Sequence, residues 1–369
     1  MHILILNRYD PYNVRAGGAE RFSGEIMSRF VKAGHVVTWI SSKPKEFREA
    51  SIEDGINYIR KGNRLSVIWH ALRYYLKNKS SIDIVVDEIH ALQFFTPLYV
   101  DKAKRVTLIH EVAGKIWLYM LPFPLSIIGL VMEQLVLRFI YRNERILTVS
   151  KSTAEELIKL GISEKNIAIV PEGTDQPIIP SNLQKTKYPS IVYFGGLRPL
   201  KRVEDQLRAI SILRKKYPFI KYRVLGKTEG KYFHRIQKFV NKNHLKDNVQ
   251  FLGYLSEQEK HIIVAESWVT LSTSIKEGWG LAVLESAALG VPAVVYPVAG
   301  SVDAVIHYQT GLHTIDESPE KLALAISRIF EDLKLRDNMS SSAKLFANKL
   351  TWDNSYKFVN KQLQKWIRS

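Results

Sequence analysis

Residues 274–297 read Ser274-Ile-Lys-Glu-Gly-Trp-Gly-Leu-Ala-Val-Leu-Glu-Ser-Ala-Ala-Leu-Gly-Val-Pro-Ala-Val-Val-Tyr-Pro297. A glycine-flanked turn at Glu277–Gly280 opens a predicted helix near Leu281. The apolar run that follows Gly290 predicts a buried strand. Repeated strand–helix units of this kind indicate a parallel sheet with helices on both faces, so the fold class is α/β.

Two acids mark this stretch, Glu277 before the helix and Glu285 about one turn into it. The first N–H groups of a helix lack intrahelical partners, and flanking glycines let a ligand approach the backbone closely. Ordinary surface glutamates are the alternative, but a Gly-Trp-Gly turn followed by a buried strand favours a site for a small polar ligand such as a nucleotide sugar. The candidate ligand-binding residues are Glu277, Gly278, Trp279, Gly280, Leu281 and Glu285.

A second candidate segment is Gly195-Gly-Leu-Arg-Pro-Leu-Lys201. Its glycines end a predicted strand, and Arg198 and Lys201 precede a predicted helix. Cations at such a strand end are well placed to bind a diphosphate. A solvated basic loop is the alternative, and the nearby acidic motif favours phosphate.

The first half of the chain carries two weaker signals. Gly17-Gly18 begin the first predicted helix without a G-x-G-x-x-G pattern, so a phosphate contact and a plain helix entry fit equally well. His110 follows a predicted strand, at the sheet edge where sites form in such folds. A lone histidine is more often structural, but its position, with Glu111 next to it, favours function.

The order of predicted elements indicates two doubly wound domains, which we expect to face each other across a cleft. Residues 1–170 alternate strands and helices, and a Pro- and Ser-rich segment at 171–189 is the predicted linker. Alternation restarts in residues 190–351. An amphipathic helix at about 352–369 is expected to pack back on the first domain.

Composition narrows the function classes. The chain of 369 residues has no cysteine, which excludes disulfides and thiolate metal sites. The N-terminus lacks the basic and apolar regions of a signal peptide. The formal net charge of +17 is spread along the chain and would suit nucleic acid, an anionic membrane or phosphorylated substrates. A well-solvated basic surface without a specific partner explains it equally well.

Residues 116–141 are strongly apolar and aromatic, but Pro122, Pro124 and Glu133 interrupt the run, which argues against a spanning helix. For 116–125 the aromatic residues and nearby cations favour docking on a bilayer. For 126–141 we favour a buried helix.

The chain resembles glycosyltransferase family 4, the retaining nucleotide-sugar enzymes of the GT-B fold, which has two Rossmann-like domains. Within that family it is similar to mannosyl- and glucosyltransferases that build cell-surface glycans or glycolipids. The resemblance covers nearly the whole length. It rests on Gly17–Glu20, His110-Glu111, Thr148–Ser152, Val170–Asp175, Gly195–Lys201 and Glu277–Glu285.

The resemblance implies roles for individual residues. Glu277 would hold the donor-sugar hydroxyls and Glu285 the nucleotide ribose. Lys201 and an arginine would bind the diphosphate. The family often has that arginine where this chain has Gly196, so Arg198 is the substitute. His110 would contact the donor sugar near the reaction centre.

Further expectations follow from the resemblance. The backbone of Gly17 and Gly18 would approach the donor phosphates, and Glu172 stands where the family's linker motif usually has Asn. No metal or other cofactor is expected. The partners would be a UDP- or GDP-hexose and a glycan or lipid-linked acceptor, with no specific nucleic acid. We expect a cytoplasmic protein in peripheral contact with an anionic membrane through 116–125. A nucleotide-sugar epimerase of the same architecture and a basic nucleic-acid-binding protein are the alternatives.

Overall fold

The computed structural model describes residues 1–90, 93–180 and 182–367. The chain divides into two compact units, one formed by Met1–Gly173 with Trp352–Ser369 and the other by Thr174–Thr351. Most of the predicted linker, residues 174–189, falls within the second unit, and its Ser181 lies outside the described residues. Arg368 and Ser369 of the predicted C-terminal helix lie outside them as well.

The first unit is built on an eight-stranded sheet. All neighbouring strands in it are parallel except one edge pair, β3 and β4, which is antiparallel. The spatial order is β3-β4-β2-β1-β5-β6-β7-β8. The strands are β1 (His2–Leu6), β2 (Val36–Ser41), β3 (Ala50–Glu53), β4 (Ile56–Arg60), β5 (Ile84–Ile89), β6 (Arg105–Ile109), β7 (Ile146–Thr148) and β8 (Ile167–Ile169).

Helices cross between these strands, as parallel pairing requires. The helix after β7 is capped at its N-terminus, because the Ser150 hydroxyl accepts a hydrogen bond from the Thr153 N–H. The helices of this unit are α1 (Gly18–Lys32), α2 (Val67–Asn78), α3 (Trp117–Met120), α4 (Leu125–Phe139), α5 (Lys151–Lys159) and the C-terminal α13 (Trp352–Ile367).

The second unit is a six-stranded, fully parallel sheet in the order β11-β10-β9-β12-β13-β14. Its strands are β9 (Ser190–Phe194), β10 (Lys221–Leu225), β11 (Val249–Gly253), β12 (Val269–Ser272), β13 (Ala293–Val295) and β14 (Gly311–His313). Its helices are α6 (Val203–Leu213), α7 (Gly230–Lys242), α8 (Glu257–Glu266), α9 (Leu281–Ala288), α10 (Ser301–Ala304), α11 (Pro319–Glu331) and α12 (Leu333–Ala347).

The predicted α/β class is confirmed, because both sheets are mainly parallel and are joined by helices. Strand β5 is buried along its whole length and includes two buried acids, Asp87 and Glu88. Several elements have no counterpart among the predicted ones: β3, β4, β8, β14, α2, α8, α11 and α12. The four strands are short and α8 lacks a clear apolar period, but α2 and α11 each bury one apolar helix face.

The prediction of a buried helix at residues 126–141 is wrong. Helix α4 buries only Ser126, Glu133, Val136 and Leu137, and most of its apolar side chains are exposed. Apolar density does not by itself imply burial, and only one narrow stripe of this helix is buried. In the described part of the chain, no helix is both long and apolar enough to cross a membrane.

Helix α13 packs within the first unit against α1. The Trp352 ring meets Phe22 edge to face with centroids 6.1 Å apart, and Tyr356 meets Phe30 at 4.9 Å. Leu363 is almost fully buried further along the helix. The C-terminal segment therefore completes the core of a unit whose other residues lie at the start of the chain.

Because Leu363 is buried, Leu363→Ala should lower the free energy of unfolding by about 2–5 kcal/mol through lost contacts and a residual cavity. Lys361→Ala, an exposed change on the same helix, should stay within about 0.5 kcal/mol of the wild type. Urea unfolding followed by circular dichroism measures both. Equal effects of the two changes would contradict the packing of α13.

Candidate functional site

The second unit has a topological switch between β9 and β12. Strand β9 pairs with β10 on one side and with β12 on the other, so the connections leave the sheet in opposite directions at this point. Ligands of doubly wound sheets bind outside the carboxyl ends of the strands at such a switch. The segments that follow these two strands contain the predicted cationic loop, 195–201, and the predicted acidic turn, 277–280.

The structure brings the two predicted loops into contact. The Ile275 N–H donates to the carbonyl of Leu200 at 2.9 Å, which ties one backbone to the other. Lys201 Nζ lies 2.6 Å from Glu277 Oε1, and both side chains remain partly exposed. The Ser274 hydroxyl donates to the same carboxylate oxygen. Glu277 is thus held in place by a cation and a hydroxyl at the predicted edge.

Glycine backbones shape the turn that carries Glu277. Gly280 adopts a left-handed conformation with φ of 113° and directly precedes α9, which begins at Leu281 as predicted. Gly300, from a neighbouring loop, has φ of 80°, and a Cβ at that position would lie 2.1 Å from the Glu277 carbonyl oxygen. Any side chain at 300 would therefore displace the backbone of Glu277 and Gly278.

The second acid has a lysine partner that was not predicted. Lys260 Nζ on α8 lies 3.0 Å from Glu285 Oε2 on α9 and 2.7 Å from Glu257 Oε2. Glu285 is largely buried, whereas Glu257 is exposed. A signal for α8 was present, since Ser256 and Glu259 form a capping box. No local pattern indicated that α8 would lie beside α9.

The remaining predicted donor residues differ in their surroundings. Arg198 is exposed, and in the residues that the structure describes its guanidinium has no ion pair or hydrogen bond. A Cβ at Gly196 would lie 3.3 Å from Arg198 Nε, so this arginine folds back over the position that carries an arginine in the resembling family. Trp279 packs on the core formed by Val283 and Val295.

The two glycines predicted to approach phosphates lie in the first unit at the start of α1, with Gly17 at the N-cap and Gly18 as the first helical residue. Both are exposed, but the Gly17 N–H already donates to Glu20 Oε2 at 2.7 Å, and Glu20 itself is buried. This N–H is therefore occupied in the structure, which leaves the Gly18 backbone as the available predicted contact.

His110 lies at the carboxyl end of β6, in a buried cluster of carboxylates. Its Nε2 is 3.3 Å from Glu88 Oε1, and its Nδ1 is 3.9 Å from Glu172 Oε1. The approach to Glu88 lacks hydrogen-bond alignment, and within the described residues neither Glu88 carboxylate oxygen has a hydrogen-bond partner. The Phe22 ring packs edge to face on the imidazole at 5.2 Å. Glu88 and Glu172 were not predicted as parts of a site.

This cluster binds protons more tightly than its isolated groups. Burial raises the pKa of Glu172 to about 7 and also raises the pKa of Glu88. Burial by itself would lower the pKa of His110, but Glu88, Glu172 and Glu20 outweigh it and raise that pKa. The three carboxyl groups therefore favour a protonated imidazole in a site largely closed to water.

Both units have counterparts among known proteins. A family model described as Glycosyl transferases group 1 matches residues 175–346, and one described as Glycosyltransferase Family 4 matches residues 16–176. The chain belongs to this glycosyltransferase family. The predicted resemblance is confirmed, and the assignment favours a transferase over an epimerase or a nucleic-acid-binding protein.

The individual relatives that this chain matches are distant in sequence. It is 24% identical over 217 residues to the poly(glycerol-phosphate) alpha-glucosyltransferase of Bacillus subtilis strain 168, with 58% of this chain and 32% of that protein covered. The chain spans less than two thirds of the length of the first curated relatives that it matches.

Solved structures confirm the GT-B fold. Sucrose-phosphate synthase from Thermosynechococcus elongatus superposes with a TM-score of 0.81 at 17% identity, covering 99% of this chain and 98% of that one. Anabaena HepE in complex with UDP-glucose superposes with a TM-score of 0.74 at 16% identity, covering 99% and 100% of the two chains.

The contact of Gly300 with the acidic turn can be tested by adding a methyl group. Gly300→Ala should lower the free energy of unfolding by clearly more than the roughly 1–2 kcal/mol that a left-handed alanine costs, because the Cβ also meets the Glu277 carbonyl. Gly253→Ala is the matched control, since Gly253 has φ of 72° and open space around its Cβ position. Urea unfolding compares the two, and equal losses would rule out the clash.

The buried carboxyl of Glu172 predicts a pH dependence. The pKa of this carboxyl is about 7 in the folded protein and near its ordinary value of 4.5 in the unfolded chain, so the folded state binds more protons between these values. The contribution of the protonated Glu172 carboxyl to the stability of the folded state is therefore fully present below pH 4.5. This contribution is lost as the pH rises towards 7. The stability of Glu172→Gln relative to the wild type should increase over this range by about 1–3 kcal/mol. Unfolding curves measured at several pH values test this.

Glu164→Gln, an exposed change in the same unit, is the control and should show a flat difference across that pH range. If the stability of Glu172→Gln relative to the wild type also stayed constant over this pH range, the Glu172 carboxyl would not be protonated preferentially in the folded state.

Proposed function

We propose that this chain is a retaining hexosyltransferase that moves a hexose from a nucleotide-diphosphate sugar to a hydroxyl group of a glycan or lipid-linked acceptor in cell-surface glycan synthesis. The observation that carries the proposal is the pair of acid–lysine contacts in the second unit, Glu277 with Lys201 and Glu285 with Lys260. The complex of HepE with UDP-glucose, a protein of the same fold, supports this class of donor.

Each pair can exchange its internal contacts for a ligand. A carboxylate accepts hydrogen bonds from vicinal hydroxyls, and an ammonium group binds phosphate oxygens. In this proposal Glu285 holds the ribose, Glu277 holds hydroxyls of the hexose, and Lys201 and Arg198 bind the diphosphate. The unpaired N–H groups at the start of α9 would add to the stabilisation of negative charge.

The proposed reaction breaks the bond between the anomeric carbon and the diphosphate oxygen. A bond to the acceptor oxygen forms on the same face, and the acceptor proton passes to an oxygen of the departing diphosphate. The protein contributes positioning and cations that stabilise the leaving group. The role of His110 at the donor sugar, and the absence of a metal requirement, remain predictions.

Peripheral membrane contact through residues 116–125 belongs to the same proposal. Leu118, Tyr119 and Phe123 of this segment are exposed, which suits contact with lipid. A lipid-linked acceptor would be reached at such a surface.

Donor binding is tested by thermal shift and calorimetric titration with UDP, GDP, UDP-glucose and GDP-mannose. At least one nucleotide sugar should raise the melting temperature, and Glu285→Ala should weaken its binding about tenfold or more through lost charge-assisted hydrogen bonds. Glu257→Ala is the matched control, because Glu257 contacts the same lysine but is 65% exposed, against 11% for Glu285.

The proposal fails if no nucleotide sugar binds, or if the two variants weaken binding equally. Transfer itself is tested by incubating the bound donor with glycan and lipid-linked acceptors. The product should keep the anomeric configuration of the donor, and an inverted product would rule out the retaining reaction.

A further inference from the structure

Helices α3 and α4 form an apolar hairpin on the surface of the first unit. Phe123, between the two helices, is 83% exposed, and Phe139 at the end of α4 is 70% exposed. Ile128 and Met132 are more than half exposed along the same helix. These exposed apolar side chains lie on one hairpin and are not scattered singly over the surface. Apolar patches of this kind mark interaction sites.

The hairpin surface carries no exposed charge along its length. Between Lys115 and Arg138 the only charged residue is Glu133, and this side chain is buried. Its carboxylate accepts hydrogen bonds from the N–H groups of Ala113 and Gly114, both at 2.8 Å, and from the indole of Trp117 at 3.1 Å. The one acid of the hairpin is therefore turned inward and used to hold the two helices together.

A second contact packs the two helices of the hairpin together. The Trp117 ring lies over Gly129, where a Cβ would come within 2.5 Å of a ring carbon. Gly129 thus lets the indole pack directly on the backbone of α4. Together with the Glu133 hydrogen bonds, this packing sets the outward apolar face without help from a ligand.

Exposed cations flank this face. Lys115 precedes α3, Arg138 lies in the last turn of α4, and Arg142 follows that helix. Two copies of the surface would bring like charges together with no exposed acid from the hairpin to pair with them, and the net charge of +17 adds to that repulsion. An apolar face flanked by cations instead suits a partner that has an apolar interior and an anionic surface. Binding to such a partner requires few directional hydrogen bonds.

We propose that the α3–α4 hairpin docks on an anionic bilayer, with α4 lying in the interface and Lys115, Arg138 and Arg142 pairing with lipid phosphates. An interfacial helix of this kind buries its apolar side chains at the boundary between headgroups and acyl chains. The inference rests on the proposed function in one respect, since it extends the expected membrane contact from 116–125 to the whole hairpin. Membrane docking of the hairpin does not depend on donor binding.

The full-length protein can be floated with vesicles of phosphatidylcholine alone and of phosphatidylcholine mixed with phosphatidylglycerol. We expect binding to the mixed vesicles at low salt, and weaker binding to phosphatidylcholine alone. The double variant Phe123→Ser with Phe139→Ser should bind the mixed vesicles at least about tenfold more weakly, because each phenylalanine buries apolar surface in the bilayer. This variant leaves the net charge unchanged. A loss of binding would therefore show that the apolar side chains contribute, beyond the electrostatic attraction between a basic protein and anionic lipid.

The matched control is Ile178→Ser with Phe219→Ser, which removes two apolar side chains that are 85% and 78% exposed on the second unit. It should bind vesicles like the wild type. A nucleotide thermal shift on each variant reports folding and donor binding separately, so failure of vesicle binding and failure of the proposed function give different results.

Three results would overturn the inference: no binding to either vesicle, equal losses in the two double variants, or a dimer in sedimentation velocity that the phenylalanine variant abolishes without any vesicle binding.

Discussion

The parallel pairing of β9 with β12 is the constraint on which the donor-side geometry depends. Ile191 pairs with Val269 and Val192 with Thr270, so two strands far apart in sequence end at the same edge of the sheet. Parallel pairing alone brings the cationic loop after one strand to the acidic turn after the other. The contact of Lys201 with Glu277 follows from this registration, since the residues are 76 positions apart in the chain.

The internal ion pairs give this edge a particular electrostatic state. Each acid is matched by a lysine, so carboxylates that would repel a diphosphate are partly neutralised before any ligand arrives. Arg198 adds an exposed guanidinium without a partner in the described residues. Such an edge can accept an anion and a set of hydroxyls at the same time, whereas separate acidic and basic patches would each repel one part of a nucleotide sugar.

Much of this site could be predicted from sequence where the signal is local. Gly280 before an apolar helix marks the start of α9, and glycines after a strand mark the loop before Lys201. Lys260, Glu88 and Glu172 could not be found in this way, because their partners are set by strand order and helix placement. The hydrogen bond from the Gly17 N–H to Glu20 likewise depends on the side-chain conformation of Glu20. The sequence shows only that the two residues are three positions apart.

The error over α4 has a physical reason of its own. An apolar run has the same composition whether it faces a core or a lipid phase, and periodicity cannot separate the two when a helix is apolar on nearly every side. The discriminating feature is the placement of charge. In the sequence Glu133 interrupts the apolar run and argues against a spanning helix, and in the fold its carboxylate accepts hydrogen bonds from Ala113, Gly114 and Trp117. Because this carboxylate is buried and hydrogen-bonded, it leaves no exposed negative charge on the hairpin between Lys115 and Arg138. The residue that argues against a spanning helix therefore leaves the exposed face compatible with an anionic surface.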